Sequence, residues 1–170
     1  MELERRFLLA SLPPNLVRPI KITDRYIRQT DLRVRKMENQ EGTGSPLFKL
    51  AQKVRPDPED PTRLALTNLY ISEFEFGLLS VHPADVLEKI RYALNVGDRY
   101  VSVNAFQGSL EGLLLLEADF GSEDEMAAFS PPGFVEREVS RDDRFSGGRL
   151  ARMSSEDLRQ LLDPRAAEDT

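Results

Sequence analysis

An antiparallel β-sheet or barrel of about eight strands is the fold that this sequence predicts. Short segments that alternate apolar and polar residues recur along the chain, and most of them are joined by hairpin-type turns. In six of these segments two charged side chains share one face of the strand, opposite a mostly aliphatic or aromatic face. Strands joined by hairpins run antiparallel, which gives the predicted architecture.

The strands follow one another along the chain. The first covers residues 1–9, where Glu2, Glu4 and Arg6 share one face because alternate side chains of a strand point the same way. The fifth is predicted to end in Ser72-Glu73-Phe74-Glu75-Phe76, where acids alternate with phenylalanines. The other six are predicted at residues 21–27, 32–37, 47–54, 88–94, 99–106 and 113–120.

Helices are predicted at the periphery of the strands. A short helix is predicted at residues 81–87, and a capping box indicates another at 122–129. Residues 55–63, with three prolines and several acids, are expected to be exposed and mobile. A final amphipathic helix is predicted at about residues 154–163, with Leu158, Leu161 and Leu162 on one side. This helix is expected to pack on the wall of the barrel or on a second copy, which makes a homodimer one of the expected states.

The composition is that of a globular protein, for which we expect a single domain over residues 1–170. The absence of cysteine excludes disulfides and thiol chemistry, and a single histidine excludes a multi-histidine zinc site. A formal net charge of -6 argues against general nucleic-acid binding. No apolar run approaches the roughly 18–20 residues of a membrane span, and no signal-peptide pattern is present. We therefore expect no membrane association and a cytoplasmic location.

Six strands carry the same-face charge pairs. If their apolar faces pack outside, these charges line an interior, and burial without compensation costs several kcal/mol per ion. Such an interior must be wet or hold a ligand, and a divalent metal with a polyphosphate satisfies both signs of charge. The alternative is a half-exposed sheet whose charges pair across neighbouring strands. The pairs are Glu2/Glu4, Arg33/Arg35, Lys49/Lys53, Glu73/Glu75, Lys89/Arg91 and Glu117/Asp119.

The motifs of these strands, in order along nearly the whole chain, resemble those of a known family. Glu2-x-Glu4-x-Arg6 resembles an ExExK opening, and Leu32-Arg33-Val34-Arg35 resembles an LRxR strand. Further matches are Lys53 to a strand lysine, Glu73-Phe74-Glu75 to an ExE strand, Glu88-Lys89-Ile90-Arg91-Tyr92 to an EKxRY motif, and Glu117-Ala118-Asp119-Phe120 to a late acidic strand. The family is the CYTH superfamily of triphosphate tunnel metalloenzymes, in its short bacterial form.

The resemblance implies an α+β, mainly β fold: an eight-stranded antiparallel β-barrel tunnel with peripheral helices. It implies a triphosphate-containing small molecule as ligand, with Mg²⁺ or Mn²⁺ as cofactor. Lys53, with Tyr26 near it, resembles the catalytic group that positions or activates water. The implied metal ligands are Glu2, Glu4, Glu117 and Asp119, with Glu73 and Glu75 in support. The implied phosphate-binding residues are Arg6, Arg33, Arg35, Lys53, Lys89 and Arg91.

Some positions depart from the family pattern. Arg6 stands where the family has lysine, and the two side chains are not interchangeable at a fitted site. Ser102 and Asn104 stand where the family often has two acids. Losing those charges is expected to weaken a metal site or to leave one of two metals unbound, and so to reduce activity.

Metal-dependent hydrolysis of inorganic tripolyphosphate, or of another organic or nucleoside triphosphate, is therefore the predicted function. Two alternatives stay open. One is a polyphosphate- or nucleotide-binding protein with weak or no turnover, which the departures at Arg6, Ser102 and Asn104 favour. The other is a class IV-type adenylate cyclase, although nothing in the sequence shows a pocket for a base.

Overall fold

The computed structural model describes residues 2–42, 44–54 and 63–163, without the side chains of residues 2, 53, 63, 64 and 66. Its strands β1 to β9 are Glu2–Leu9, Val17–Ile27, Leu32–Asn39, Leu47–Val54, Arg63–Ile71, Ala84–Val96, Arg99–Phe106, Leu114–Phe120 and Val135–Glu138. Its helices α1 to α4 are Glu73–Ser80, Glu123–Ala128, Gly147–Leu150 and Ser155–Leu162. Two short 3-10 helices lie at Gly108–Leu110 and Asp143–Phe145.

The strands form one antiparallel sheet in the order β5-β4-β3-β2-β6-β7-β8-β1-β9. A further ladder of two residue pairs, Glu2 with Leu64 and Leu3 with Arg63, joins β1 to β5. Eight strands therefore curl until the first meets the fifth, and β9 extends the free part of the edge of β1. The predicted mainly β, antiparallel barrel fold is confirmed, with β9 as an additional strand.

The outer face of β1 is apolar and is covered by a helix. Leu3, Phe7 and Leu9 point away from Glu4 and Arg6 and belong to a buried cluster, and Arg5 shares their face. Phe129, directly after α2, packs on this cluster, with its ring centroid 6.0 Å from that of Phe7 and 5.3 Å from that of Phe120. Burial of this face contributes to stability through the removal of apolar surface from water.

The inner face changes from apolar to charged along β1, β6 and β8. Leu8, Leu87 and Leu115 each lie two residues from a charged side chain on the same face, namely Arg6, Lys89 and Glu117 respectively. The leucines contribute to a buried cluster at one end of the barrel, which we call the apolar plug. It consists of Leu8, Leu87, Phe106, Leu110, Leu113, Leu115, Val139, Phe145, Leu150, Leu158 and Leu161.

The predicted end of the fifth strand is wrong, because β5 ends at Ile71 and residues 73–80 form α1. Ser72 caps this helix in a reciprocal capping box, in which its hydroxyl accepts from the amide of Glu75 and the Glu75 carboxylate accepts from Ser72. The ring of Phe76 packs on Phe48 of β4 at 4.9 Å, whereas Phe74 is 74% exposed. The capping signal therefore outweighs the alternation of acids and phenylalanines.

The predicted helix at residues 81–87 is also wrong. A turn occupies its first half, and the rest begins β6, which pairs with β2 from Ala84 onwards. The predicted strands agree with β4 and β7 in both bounds, whereas β2 begins at Val17, four residues before the predicted start. The expectation of mobility at residues 55–63 falls outside the described residues, except for Arg63, which begins β5.

The predicted final helix is confirmed as α4. Ser154 caps it in a capping box with Asp157, and Leu158 and Leu161 are buried in the apolar plug, with Leu162 packed against the plug. Its apolar side therefore contacts its own chain. None of the helices in the described part of the chain has the length and hydrophobicity that a membrane span requires.

Leu158→Ala is predicted to lower the free energy of unfolding by about 2–5 kcal/mol, because it leaves a cavity in the plug. The measurement is urea denaturation followed by circular dichroism. The control Leu78→Ala removes a side chain of α1 that is 56% exposed, and a change below about 0.5 kcal/mol is expected. A Leu158→Ala midpoint equal to that of the control would contradict the packing of α4.

Candidate active site

A cavity of about 700 Å³ lies inside the barrel, and seven of the nine strands contribute side chains to it. Among the described side chains that line it, cations outnumber acids by seven to four. The cavity is therefore positive although the chain carries a formal net charge of -6. The cations are Arg6, Arg33, Arg35, Lys49, Lys89, Arg91 and Arg152, and the acids are Glu4, Asp31, Glu117 and Asp119.

Most of the residues predicted for the site lie in this cavity. They are Glu4, Arg6, Tyr26, Arg33, Arg35, Lys89, Arg91, Glu117 and Asp119. Glu73 and Glu75 are on α1 and are absent from the described cavity wall, and the Glu75 carboxylate is bonded to Ser72. The side chains of Glu2 and Lys53 lie outside what the structure describes, so their predicted roles stay predictions.

Arg6 connects β1 to the segment that follows β9. Its Nη1 donates to the carbonyl oxygen of Phe145 at 2.7 Å, and its Nε lies 2.8 Å from Oε1 of Glu4. The backbone amide of Arg6 donates to the hydroxyl of Ser140 at 2.9 Å. Arg6 is 6% exposed, so these contacts hold a buried cation at the border of the cavity.

Glu117 of β8 is shared by two cations of β6. Nη2 of Arg91 donates to one of its carboxylate oxygens at 2.5 Å, and Nζ of Lys89 lies 3.8 Å from the other. Nε of Arg91 donates to the side-chain oxygen of Asn104 at 2.9 Å, and Asn104 is fully buried. An acid and an amide therefore fix the direction of Arg91, and only the acid carries charge.

Lys89 is buried more deeply than is usual for a lysine. It is 5% exposed, and its ammonium lies 5.3 Å from the ring centroid of Phe106 in the apolar plug. Burial lowers the pKa of Lys89 to about 7, although the negative charge of Glu117 acts in the opposite direction. A polyanion in the cavity would favour the charged form of this side chain.

Asp24 of β2 is a buried acid that holds two arginines of β3. Its two carboxylate oxygens accept from Nε and Nη2 of Arg35 at 2.6 and 2.7 Å, and Nε of Arg33 lies 3.6 Å away. Burial acts to raise the pKa of Asp24, but the positive charges of Arg35, Arg33 and Lys89 outweigh it and lower that pKa. The carboxylate is therefore charged, and so are both arginines.

Tyr26 lies against the closing segment of the chain. Burial, together with the charge of Asp24, raises the pKa of the Tyr26 hydroxyl to about 12, so the phenol is neutral at pH 7. A Cβ atom on Gly147, at the start of α3, would overlap this hydroxyl. The absence of a side chain at Gly147 therefore makes room for Tyr26 at the cavity wall.

Glu4 and Asp119 are the residues that best fit a divalent metal. They are direct cross-strand partners in the β1–β8 ladder, and both line the cavity beside its cations. Mg²⁺ is commonly held by one or two carboxylates together with phosphate oxygens and water, and this pair has that chemistry. No cluster of three or more acids or histidines suited to a metal occurs within the described residues, which do not include the side chain of Glu2.

Several residues in the cavity wall or directly behind it were not predicted as site residues from the sequence. The sequence did contain a signal for Asp24, because it lies on the same strand face as Ile22 and Tyr26. Burial of an acid on such a face is unfavourable unless the acid is paired. Lys49 was recognised only as half of a charge pair. Asn68 of β5 and Arg152 after α3 reach the cavity through the curl of the sheet, and no periodic pattern marks them.

A second depression, of about 960 Å³, lies outside the barrel between β1, β9 and α2. Two of the four arginines that line it are paired with acids, with Arg5 bonded twice to Glu138 and Arg144 bonded to Asp142. It contains none of the residues predicted for the site. The cavity inside the barrel is therefore the candidate active site.

Comparison with known proteins agrees with this geometry. No model of a known protein family matches the chain. An inorganic triphosphatase of Nitrosomonas europaea is 27% identical over 151 residues, which cover 88% of this chain and 96% of that protein. The crystal structure of the inorganic triphosphatase NE1496 gives a TM-score of 0.60 at 24% identity, over 89% of this chain and 94% of that one. The structure of the PH1819 protein from Pyrococcus horikoshii OT3 gives a TM-score of 0.53 at 18% identity, and the match covers 75% of this chain and 82% of that one.

The chain is thus similar in sequence and in fold to an inorganic triphosphatase, in agreement with the resemblance of its strand motifs to the CYTH superfamily.

Gly147→Ala is predicted to lower the free energy of unfolding by about 1–3 kcal/mol, because the new methyl group displaces Tyr26 from a packed position. Gly148→Ala is the matched control, since its Cβ would meet the Tyr26 ring at an ordinary 3.7 Å. The control is expected to be neutral or to stabilise by up to about 1 kcal/mol, from helix propensity. Thermal unfolding compares the two variants, and equal midpoints would contradict the close approach of Tyr26 to Gly147.

Proposed function

We propose that this protein is a triphosphatase that hydrolyses a triphosphate in the barrel cavity with the help of a divalent metal. The observation that carries the proposal is the convergence of cations from β1, β3 and β6, together with acids of β1 and β8, on one cavity. A polyanion satisfies the excess positive charge of the cavity, and arginine forks match phosphate oxygens in geometry. The related inorganic triphosphatase of Nitrosomonas europaea supports the same function.

Inorganic tripolyphosphate is the substrate that the cavity favours. Its described wall is dominated by charged side chains, and Tyr26 is its one aromatic residue. Recognition of a nucleobase or a thiamine ring commonly uses apolar or aromatic surface for contact. Tyr26 packs against Gly147 and against the apolar plug, and these contacts occupy part of its surface.

The cations bind and orient the phosphates and offset charge during the reaction. Arg33 and Arg35 approach from one side of the barrel, and Lys89 and Arg91 from the strand beyond β2. Phosphoryl transfer needs little covalent chemistry from the protein, so such positioning and charge stabilisation account for most of the catalysis. With the direction of Arg91 already set by Glu117 and Asn104, this group needs little reorganisation when substrate binds.

Glu4 and Asp119, with Glu2, would hold Mg²⁺ or Mn²⁺ on the part of the cavity wall where β1 pairs with β8. When bound, such an ion polarises phosphate oxygens and offsets their charge. Tyr26 donates a hydrogen bond to orient water or a phosphate oxygen, because a hydroxyl with a pKa of about 12 is a poor base at neutral pH. Lys53 is proposed as its partner in positioning the water.

Incubation of the protein with tripolyphosphate, thiamine triphosphate or ATP, with Mg²⁺ or Mn²⁺, is predicted to release orthophosphate most rapidly from tripolyphosphate. Chelation with EDTA should abolish the release. The measurements are a phosphate assay and chromatography of the nucleotides. Cyclic AMP with pyrophosphate from ATP would identify a cyclase, and salt-sensitive binding without any product would identify a binding protein. Either outcome would overturn the proposal.

Glu4→Gln is predicted to lower phosphate release from tripolyphosphate by about tenfold or more, because it removes a charged metal ligand. Calorimetry should show weaker Mn²⁺ binding in the same variant. Glu111→Gln is the matched control, since Glu111 is exposed on the turn before β8 and lies outside the cavity wall. Its rate is expected to stay within about twofold of the parent rate. Unchanged Mn²⁺ affinity in Glu4→Gln would contradict the metal assignment.

A further inference from the structure

Asp24 has no place in the proposed reaction, yet it is a carboxylate with only 1% of its surface exposed. It lies where the apolar plug meets the cavity. On its own strand face the neighbour is Ile22, and its cross-strand partner in β6 is Leu87, both fully or almost fully buried. An unpaired carboxylate in such surroundings is strongly disfavoured, so its arginine partners must stay in contact with it.

Arg35 contacts Asp24 through one edge of its guanidinium. Nε and Nη2 each donate to a different carboxylate oxygen, at 2.6 and 2.7 Å. A guanidinium carries five N–H donors in a rigid plane, so this two-point contact fixes its orientation and leaves the opposite edge unused by Asp24. Arg35 also lines the cavity, which is where those remaining donors can meet a ligand.

Arg33 shares the same carboxylate. Its Nε lies 3.6 Å from the oxygen that accepts from Nε of Arg35, and Arg33 is 6% exposed. Two guanidinium groups thus face one carboxylate, which leaves one surplus positive charge at the cavity wall. An anion that enters the cavity would meet this surplus in an environment where water screens it poorly.

We propose that Asp24 is a positioning residue for triphosphate binding, which holds Arg33 and Arg35 so that their remaining donors point at the phosphates. The inference rests on the proposed function, because it assumes that the cavity takes a triphosphate. Asp24 itself does not contact the substrate. Its contribution is made through the arginines and is present before the ligand arrives.

A change of charge and a change of position have opposite effects on binding, which makes the proposal testable. Asp24→Asn removes a negative charge beside the cavity, so charge alone would make an anion bind more tightly. The amide can accept from only one of the two Arg35 donors, so loss of positioning makes the anion bind more weakly. The sign of the change in Kd therefore separates the two roles.

The matched control is Asp98→Asn, which makes the same substitution away from the cavity. Asp98 is exposed on the turn between β6 and β7 and lies outside the described cavity wall. Asp24→Glu keeps the charge of Asp24 but adds one methylene, which displaces the two-point contact. Circular dichroism and thermal unfolding report whether each variant is folded.

Tripolyphosphate binding is measured by calorimetry in EDTA, which prevents turnover, and KM and kcat are then measured with Mg²⁺. We expect Kd and KM to rise about tenfold or more in Asp24→Asn, and by a smaller factor in Asp24→Glu. Asp98→Asn should leave Kd unchanged. The effect of Asp24→Asn should largely disappear when Arg35 is already replaced by methionine, because Asp24 acts through Arg35.

Two results would overturn the proposal. One is tighter binding in Asp24→Asn, which would mean that Asp24 affects anion binding only through its negative charge. The other is an unchanged Kd in a folded Asp24→Asn or Asp24→Glu variant with a lowered melting temperature, which would mean a purely structural role. If Asp24→Asn does not fold, the Kd of Asp24→Glu tests the proposal instead. Failure of the parent protein to bind tripolyphosphate would instead overturn the proposed function.

Discussion

The structure depends on the way in which buried cations share their counter-ions. Asp24 faces Arg33 and Arg35, and Glu117 faces Lys89 and Arg91, so each carboxylate serves two cations. One acid per two basic groups is enough to orient them. It leaves a surplus positive charge at Asp24, whereas Lys89, with a pKa lowered to about 7, is only partly charged beside Glu117. Taking charges out of water costs several kcal/mol per ion, and pairing offsets this cost. A polyanion in the cavity would be attracted by the surplus charge and would favour the charged form of Lys89.

A barrel can tolerate this interior because its apolar burial occurs elsewhere. The residues that stabilise the fold lie on the outer face, under α2, and in the apolar plug at one end of the lumen. The strands that cross the barrel therefore carry, on one face, both residues that stabilise the fold and residues that line the cavity. Leu8 is followed toward the cavity by Arg6, and Leu115 by Glu117, with one intervening residue that points outward. Stability and ligand binding are thus separated along the barrel axis.

The sequence predicted which side chains share a strand face, because alternation is a local property of the chain. It was less informative about partners, which depend on register between distant strands. Asp24 was missed for this reason, since Arg33 and Arg35 become its partners only in the β2–β3 ladder. The contact of Tyr26 with Gly147 joins residues far apart in sequence and leaves no local signal. At residues 72–76 two local signals conflicted, and the capping box of Ser72 and Glu75 determined the structure.

The departures from the family motifs leave the number of cations nearly unchanged. They change the groups that hold those cations in position. The guanidinium of Arg6 reaches the carbonyl of Phe145 and the carboxylate of Glu4 together, which suits a planar group with several donors better than an ammonium. Asn104 accepts from Arg91 as a carboxylate would, but as an amide it leaves the charge of Arg91 in place. An acid at position 104 would bring a further negative charge beside Arg91. With asparagine there, Glu117 is the carboxylate that holds Arg91, and more of the positive charge of Arg91 remains available to an anion in the cavity.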